Sequence, residues 1–358
     1  MKSLFLFLLS LPSFGSQVLD AQNHWKCICV PENMCADSDY GDDNLDVRLE
    51  ESTCENYFDV CCENPINDIP KQPPTDAKLF KGCGLKNPIG LSGRITSDSQ
   101  LAQFGELPWT VVIMERNLLK PDTNMYRCGG SVIHPQVVVT AAHCVIGIDQ
   151  TLLTVRAGEW DTKSLDEPIP HQDASVGEAL IHPNFHSRSL RNDIALLFLA
   201  APLELRENVG VICLPPQGFS LDSAMCTAGG WGKDTFKRGK HSSILKKVDL
   251  PLVERSRCLT ALKKTRLGAF YKLHSSFICA GGEENKDTCK GDGGSPLVCP
   301  VPGGPGRFFQ MGIVSWGIGC GDSDTPGVYV NVPAFSNWID MQLIARSLDP
   351  SVYKFGIF

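Results

Sequence analysis

From residue 83 onward, apolar residues come in short runs cut apart by clusters of Gly, Pro and Asp. The runs at 109–114, 137–141, 152–157, 194–199, 310–316 and 328–332 are rich in β-branched and aromatic residues. Side chains of this kind pack well on a pleated surface and lose freedom in a helix, so each run predicts a strand. Many short strands with regular turn signals predict an all-β barrel or sandwich. Two stretches break the rhythm. Residues 255–267 and 336–347 predict helices, and the second places Trp338, Ile339 and Leu343 on one face near the C-terminus.

The first part of the chain is of another kind. Lys2, the apolar stretch 4–11 and the small-residue exit Ser13-Phe14-Gly15-Ser16 predict a signal peptide over residues 1–16. That stretch is far short of the roughly 18 residues a membrane-spanning helix needs, and no later segment reaches that length. A soluble exported chain with no membrane partner is expected. Sixteen cysteines suit an oxidising compartment. Six of them, Cys27, Cys29, Cys35, Cys54, Cys61 and Cys62, follow the spacing C-x-C-x5-C-x18-C-x6-C-C. So short a segment cannot bury enough apolar surface to hold itself together, which makes crosslinks its framework. Six cysteines allow fifteen pairings, and spacing does not choose among them. Residues 64–82, with prolines at 65, 70, 73 and 74, predict an extended, semi-rigid linker.

Charge sharpens this division. The net charge is −7, yet residues 17–63 carry twelve acids against Lys26 and Arg48, while residues 64–358 sum to +2. An acidic module beside a near-neutral domain argues against nucleic acid as a partner and suits a basic protein surface. The acids concentrate in 36–53, where Arg48-Leu49 is the only trypsin-type bond. A solvated acidic excursion and a proteolytic switch both fit that segment. Residues 233–247 hold six Lys or Arg against Asp234, the pattern of a solvated loop or of a dock for an acidic partner.

Three landmarks carry the chemistry. Thr140-Ala141-Ala142-His143-Cys144 follows one strand run, Asp193-Ile194-Ala195-Leu196-Leu197 opens another, and Gly291-Asp292-Gly293-Gly294-Ser295-Pro296-Leu297 comes third. Gly230-Trp231-Gly232, Ser315-Trp316-Gly317 and Gly327-Val328-Tyr329 lie in order around them. With His, Asp and nucleophile position in this order, residues 83–345 resemble the chymotrypsin-like serine proteases. That chemistry needs a hydroxyl to attack, a histidine to take its proton and a carboxylate to hold the histidine. By the resemblance His143 and Asp193 hold the last two roles. Gly293 stands where the family motif Gly-Asp-Ser-Gly-Gly-Pro-Leu has its serine. Losing the nucleophile of such a triad costs on the order of 10⁶ in turnover. Ser295 lies two residues on, about 6–7 Å along an extended chain, beyond the ~3 Å a serine–histidine hydrogen bond requires. It reads as a strand serine beside the site. A protein that is not an enzyme is therefore expected, with His143 and Asp193 kept as a structural pair and Gly291 and Gly293 as the remnant of an oxyanion hole.

The resemblance implies more. It pairs Cys128 with Cys144, Cys226 with Cys299, Cys258 with Cys279, Cys289 with Cys320, and Cys83 with Cys213. It makes Asp287 the carboxylate of a pocket for Arg or Lys, kept open by Gly317 and Gly327. That site either grips a basic side chain without cutting or is a relic. Arg94-Ile95 resembles the activation bond, with Asp292 receiving the freed amino group, although Ile95-Thr96-Ser97-Asp98 departs from the usual Ile-Val-Gly-Gly. Glu159, Asp161, Asp166, Glu167 and Asp173 fall where many family members hold calcium, and no other cofactor is required. The N-terminal cysteines, ending in adjacent Cys61-Cys62, resemble the clip domain, which implies the pairs Cys27–Cys61, Cys29–Cys54 and Cys35–Cys62. The layout expected is a signal peptide (1–16), clip domain (24–63), linker (64–82), propeptide-like segment (83–94), trypsin-like double six-stranded antiparallel β-barrel with a C-terminal helix (95–345) and tail (346–358). Such clip-domain serine protease homologues are secreted into haemolymph, where a partner protease cleaves them, they self-associate, and they help activate prophenoloxidase in melanisation. A decoy or inhibitor of a protease, or a microbe-binding protein, are the alternatives.

Overall fold

The structure, a computed structural model, describes residues 17–19, 25–31, 59–62, 82–91, 100–118, 124–164, 167–233, 241–284 and 286–355. The signal peptide, Cys35, Arg48, Cys54, the linker up to residue 81, Arg94 and Asp166 lie outside the described residues, and so does the pairing of the six clip cysteines. The chain divides into two compact units, the first spanning residues 1–71 together with 163–165. Its described part is an antiparallel sheet of β1 (Gln17–Leu19), β2 (Trp25–Pro31) and β3 (Asp59–Cys62), with β2 in the middle. The register sets Cys29 opposite Cys61.

The second unit holds two closed six-stranded barrels. The first consists of β4 (Thr110–Arg116), β5 (Asn124–His134), β6 (Val137–Thr140), β7 (Leu153–Ala157), β8 (Gln172–Ile181) and β9 (Ala195–Leu199), closed in the order β4-β5-β6-β9-β8-β7. The second consists of β10 (Met225–Gly230), β11 (Lys246–Val253), β12 (Phe277–Ala280), β13 (Pro296–Pro300), β14 (Phe308–Trp316) and β15 (Gly327–Asn331), closed in the order β10-β11-β12-β15-β14-β13. All pairings are antiparallel, and closure removes the exposed edges an open sheet would offer to other chains. In β7 buried and half-buried residues alternate, the period of a strand with one face on a core. In β9 all five residues are buried, because both of its faces are covered. All six strand runs expected from the apolar pattern are strands, with ends shifted by a residue or two.

Among the described residues the unit also holds the α-helices α1 (Ala142–Val145), α2 (Arg255–Lys263) and α3 (Ser336–Ile344). Glu254 caps α2 by accepting from the N–H groups of Ser256 and Arg257 at 2.9 and 3.1 Å. The helix stops short of the expected residue 267. The Thr265 hydroxyl donates back to the Leu262 carbonyl at 2.6 Å, and Gly268 then takes φ 78°, so the backbone leaves the helical path. In α3, Ile339 and Leu343 are buried, while Trp338 meets the His182 ring at 4.8 Å between centroids.

The segment 82–91 is tied into this unit by several independent contacts. Cys83 is bonded to Cys213, Gly84 donates to the Val211 carbonyl at 2.7 Å, and the Phe308 N–H donates to the Gly84 carbonyl at 2.9 Å. Glu106 is buried and receives Lys86 at 2.9 Å and Lys247 at 2.8 Å. Burial alone would raise its pKa, but the two ammonium groups and the Gln103 N–H outweigh it and hold the carboxyl below its ordinary range.

Candidate functional site

His143 sits on α1, a single turn pinned to β5 by the Cys128–Cys144 disulfide. Asp193 lies just ahead of β9, after Leu190 and Asn192, both held at positive φ (53° and 55°). That bend delivers a wholly buried carboxylate to the histidine. Asp193 Oδ2 is 2.7 Å from His143 Nδ1, and Oδ1 accepts the His143 backbone N–H at 2.8 Å. The Ser315 hydroxyl donates to Oδ2 at 2.6 Å. An ionised carboxylate only accepts, so Nδ1–H donates to Asp193 and the ring turns Nε2 toward Gly293. Three donors on one buried carboxylate leave little freedom for the ring.

Gly293 faces Nε2. A Cβ added there would stand 2.9 Å from His143 Nε2, closer than such atoms pack, so the ring occupies part of the space a serine needs. The Gly293 carbonyl accepts the Gly129 N–H at 2.9 Å, which fixes the segment. Gly294 has φ 81°, and a Cβ there would run into Thr140 Oγ1 and the Gly129 carbonyl. Gly291 has φ 103°, and its carbonyl accepts the Tyr126 hydroxyl at 2.6 Å. Ser295 is buried, with its Oγ in the space left by Gly129 and Gly230. Cys128, His143 and Cys144 place ligand-type atoms within 4.8 Å of one another, but both sulfurs belong to a disulfide and no thiolate is on offer.

Next to this pair lies a pocket of about 280 Å³ lined by Asp287, Gly291, Gly293, Trp316, Gly317 and Gly327, among others. The pocket is open. Asp287 Oδ2 accepts the Gly321 N–H at 3.1 Å, whereas Oδ1 is buried and unpartnered. Desolvation pushes this carboxyl up to about 6, against the Gly321 and Thr288 N–H groups. A Cβ on Gly327 would come 3.0 Å from Asp287 Oδ1, while one on Gly317 meets only the Gly319 carbonyl at 3.5 Å. Glycine at these positions is what leaves room beside the carboxylate.

Asp292 points the other way, to a cavity of about 320 Å³ also lined by Gln100, Lys233, Lys246 and Lys247. Its oxygens accept the Gly232 and Cys289 N–H groups, both at 2.8 Å, and Gly230 and Gly232 have no Cβ that would strike the carboxylate. Desolvation pushes Asp292 up to about 6 as well. Lys247 donates its backbone N–H to the Gln100 carbonyl at 2.8 Å, which holds Gln100 at the lip of this cavity.

Of the acids expected around calcium, the structure brings Glu159 and Glu167 together, both buried. Burial, then the adjacent Glu167, push Glu159 up to about 7 against the pull of His171 and Arg156. Burial pushes Glu167 up too. Asp161 donates its N–H to Glu167 at 3.2 Å. Asp173 is turned away to Arg156, which grips it through Nε and a terminal nitrogen at 2.8 and 2.9 Å. Glu167 helps to hold the proton affinity of Glu159 up, the side-chain hydrogen bond with Glu159 pulls that of Glu167 down against its burial, and Arg156 stands 3.4 Å from Glu159.

Ser315 appears in the sequence only as part of Ser315-Trp316-Gly317, with nothing local to mark it as the third donor to Asp193. The Lys86–Glu106–Lys247 cluster has no sequence signal at all, since its members are spread over the chain.

Two barrels, a His–Asp pair at their meeting and a glycine-walled carboxylate pocket define the trypsin-like serine protease class, and the Trypsin family model matches residues 97–339. The family model Serine protease Clip domain PPAF-2 matches residues 19–63, so the chain belongs to the clip-domain, trypsin-like serine protease family and its homologues. It is 49% identical to phenoloxidase-activating factor 2 of Galleria mellonella, over 81% of this chain and 98% of that one. It is 35% identical to inactive CLIP domain-containing serine protease A28 of Anopheles gambiae, over 97% and 98%. With phenoloxidase-activating factor 1 of Holotrichia diomphalia the identity is 32%, over 94% and 96%.

Proposed function

We propose that this chain is a secreted, catalytically inactive member of its family that acts in haemolymph as a cofactor or adaptor in the cascade regulating prophenoloxidase. The observation that carries the reading is Gly293. No hydroxyl faces His143 Nε2, and the ring leans into the place where one would be. The names of two relatives that this chain covers almost end to end, one a phenoloxidase-activating factor and one an inactive clip protease, support it. The partners proposed are prophenoloxidase and a clip-domain activating protease, with cleavage at Arg48 or Arg94 and self-association of the cut form. Calcium is proposed at Glu159 and Glu167, where it would neutralise two carboxylates and brace the loop between β7 and β8.

The test is a reconstitution. The purified chain is mixed with prophenoloxidase and its activating protease, with and without calcium, and phenoloxidase activity and cleavage mass are followed together. Activity that rises only when the chain is present and cut supports the cofactor reading, and the fragment masses decide between Arg48 and Arg94. A second reading, a decoy that holds a partner's basic side chain, is favoured by the unpartnered Asp287 Oδ1 in its open pocket. It would show as a dose-dependent fall in partner protease activity.

A further inference from the structure

We propose that the cationic face built by α2 and the turn after it docks an acidic polypeptide segment, carrying an apolar side chain, on a partner protein. Between residues 255 and 282 the chain has Arg255, Arg257, Lys263, Lys264, Arg266 and Lys272 and no Asp or Glu. Arg255 is spent internally, its guanidinium donating to the Phe277 carbonyl at 3.1 Å and to the Leu273 carbonyl. The other five are exposed; Arg257 acts on the Glu254 carboxylate at the head of the helix, and among the described residues no hydrogen bond or ion pair holds the side chains of Lys263, Lys264, Arg266 and Lys272. Residues 64–358 sum to only +2, so this is a local excess rather than a generally basic domain.

The positive potential extends beyond the helix. Besides burial, Arg191 and Arg255 both lower the His274 pKa, and both oppose the rise that burial imposes on Tyr271. Arg257 and Lys264 line a groove of about 350 Å³, with the hydroxyl residues Ser256 and Thr260 between them and the backbone of Gly281 and Gly282 behind. Among the described residues Asp324 is the one acid lining it.

The turn adds an apolar anchor. Tyr271 packs inward against Trp316, with ring centroids 6.2 Å apart, and the same turn leaves Phe270 97% exposed. Arg266 lies four residues before Phe270 and Lys272 two after, and an exposed aromatic between cations in one turn has the composition of a protein-interface anchor. A sulfated polysaccharide would use the cations and leave Phe270 idle. A membrane would need more apolar surface than one side chain supplies. An acidic polypeptide with an apolar side chain satisfies both features at once. This inference does not rest on the function proposed above.

The experiment titrates the full chain against fluorescein-labelled poly(Glu,Tyr) copolymer by anisotropy, with polyglutamate, heparin and phosphatidylserine–phosphatidylcholine vesicles alongside. Wild type is expected to bind the copolymer more tightly than polyglutamate, and more weakly as salt is raised. Arg257→Glu with Lys264→Glu should weaken copolymer binding about tenfold. Phe270→Ser should remove the preference for copolymer over polyglutamate. All are exposed positions, so thermal unfolding should stay at the wild-type temperature. Equal copolymer binding by wild type and both variants overturns the proposal. So does wild-type binding to heparin or vesicles without the copolymer, or no binding at all.

Discussion

His143 Nε2 stands 2.9 Å from the point a Cβ on Gly293 would occupy, so the histidine ring and a serine side chain compete for one volume. The ring is not free to retreat, since Asp193 holds it through Nδ1 at 2.7 Å. The wild-type chain should therefore not be labelled by a fluorophosphonate, and its turnover of arginyl esters should lie about 10⁶ below that of an intact triad. Gly293→Ser should be labelled, but slowly, because the hydroxyl arrives in a crowded site. Rapid labelling of the variant would show that the ring moves aside easily.

Asp193 carries more of the structure than His143 does. Asp193→Ala strands three donors, the His143 N–H and Nδ1–H and the Ser315 hydroxyl, in a site without water access to the carboxylate. The expected loss is about 3 kcal/mol, against about 1 kcal/mol for His143→Ala, whose ring is part exposed. Urea unfolding of the two variants checks the ranking.

Asp292 gives stability a defined pH slope. Its carboxyl titrates near 6 in the folded chain against an ordinary 3.8, so the folded state binds more protons between those values. Its contribution is fully present below about pH 4 and is lost as pH rises through 6, by about 1.4 kcal/mol per unit at most. Subtracting the curve of Asp292→Asn from that of wild type isolates this slope. A flat difference would show that Asp292 is ionised throughout.

Calcium should stabilise the β7–β8 loop through Glu159 and Glu167. At a hundredfold excess over its dissociation constant the gain would be about 2.7 kcal/mol. Differential scanning calorimetry with calcium and with chelator measures it, and Glu159→Gln with Glu167→Gln should abolish the difference. Asp173→Asn should keep it, because Asp173 is held by Arg156.

The Lys86–Glu106–Lys247 cluster predicts that segment 82–91 holds to its barrel by more than its disulfide. Glu106→Ala leaves two ammonium groups, 17% and 22% exposed, without their carboxylate. Partial access to water softens the loss to about 2 kcal/mol. Thermal unfolding under oxidising conditions, with the Cys83–Cys213 bond intact, is the measurement.

Much of this protein could be read before any coordinates. The six apolar runs are strands because alternation and β-branching are local properties, visible within a few residues of one another. The end of α2 was not legible, since Thr265 has to choose between continuing the helix and bonding back to Leu262. Asp173 looked like its acidic neighbours until the pairing of β7 with β8 set it opposite Arg156. The cationic face of α2 has no mark in the sequence to set it apart from the charge run at 233–247, because the exposure of its side chains is a property of packing.

The sequence by itself determined that position 293 carries no hydroxyl. That is a matter of residue type, and no arrangement of the chain supplies the missing group. Only the tertiary structure decided what became of the groups around it: the ring in the vacated volume, Ser315 as third donor to Asp193, Asp287 with one oxygen unpartnered, and Glu159 against Glu167. The first three bring together residues far apart in the chain, so they depend on barrel closure and strand register, which no local stretch encodes, whereas Glu159 and Glu167, eight residues apart, meet through the path of one loop.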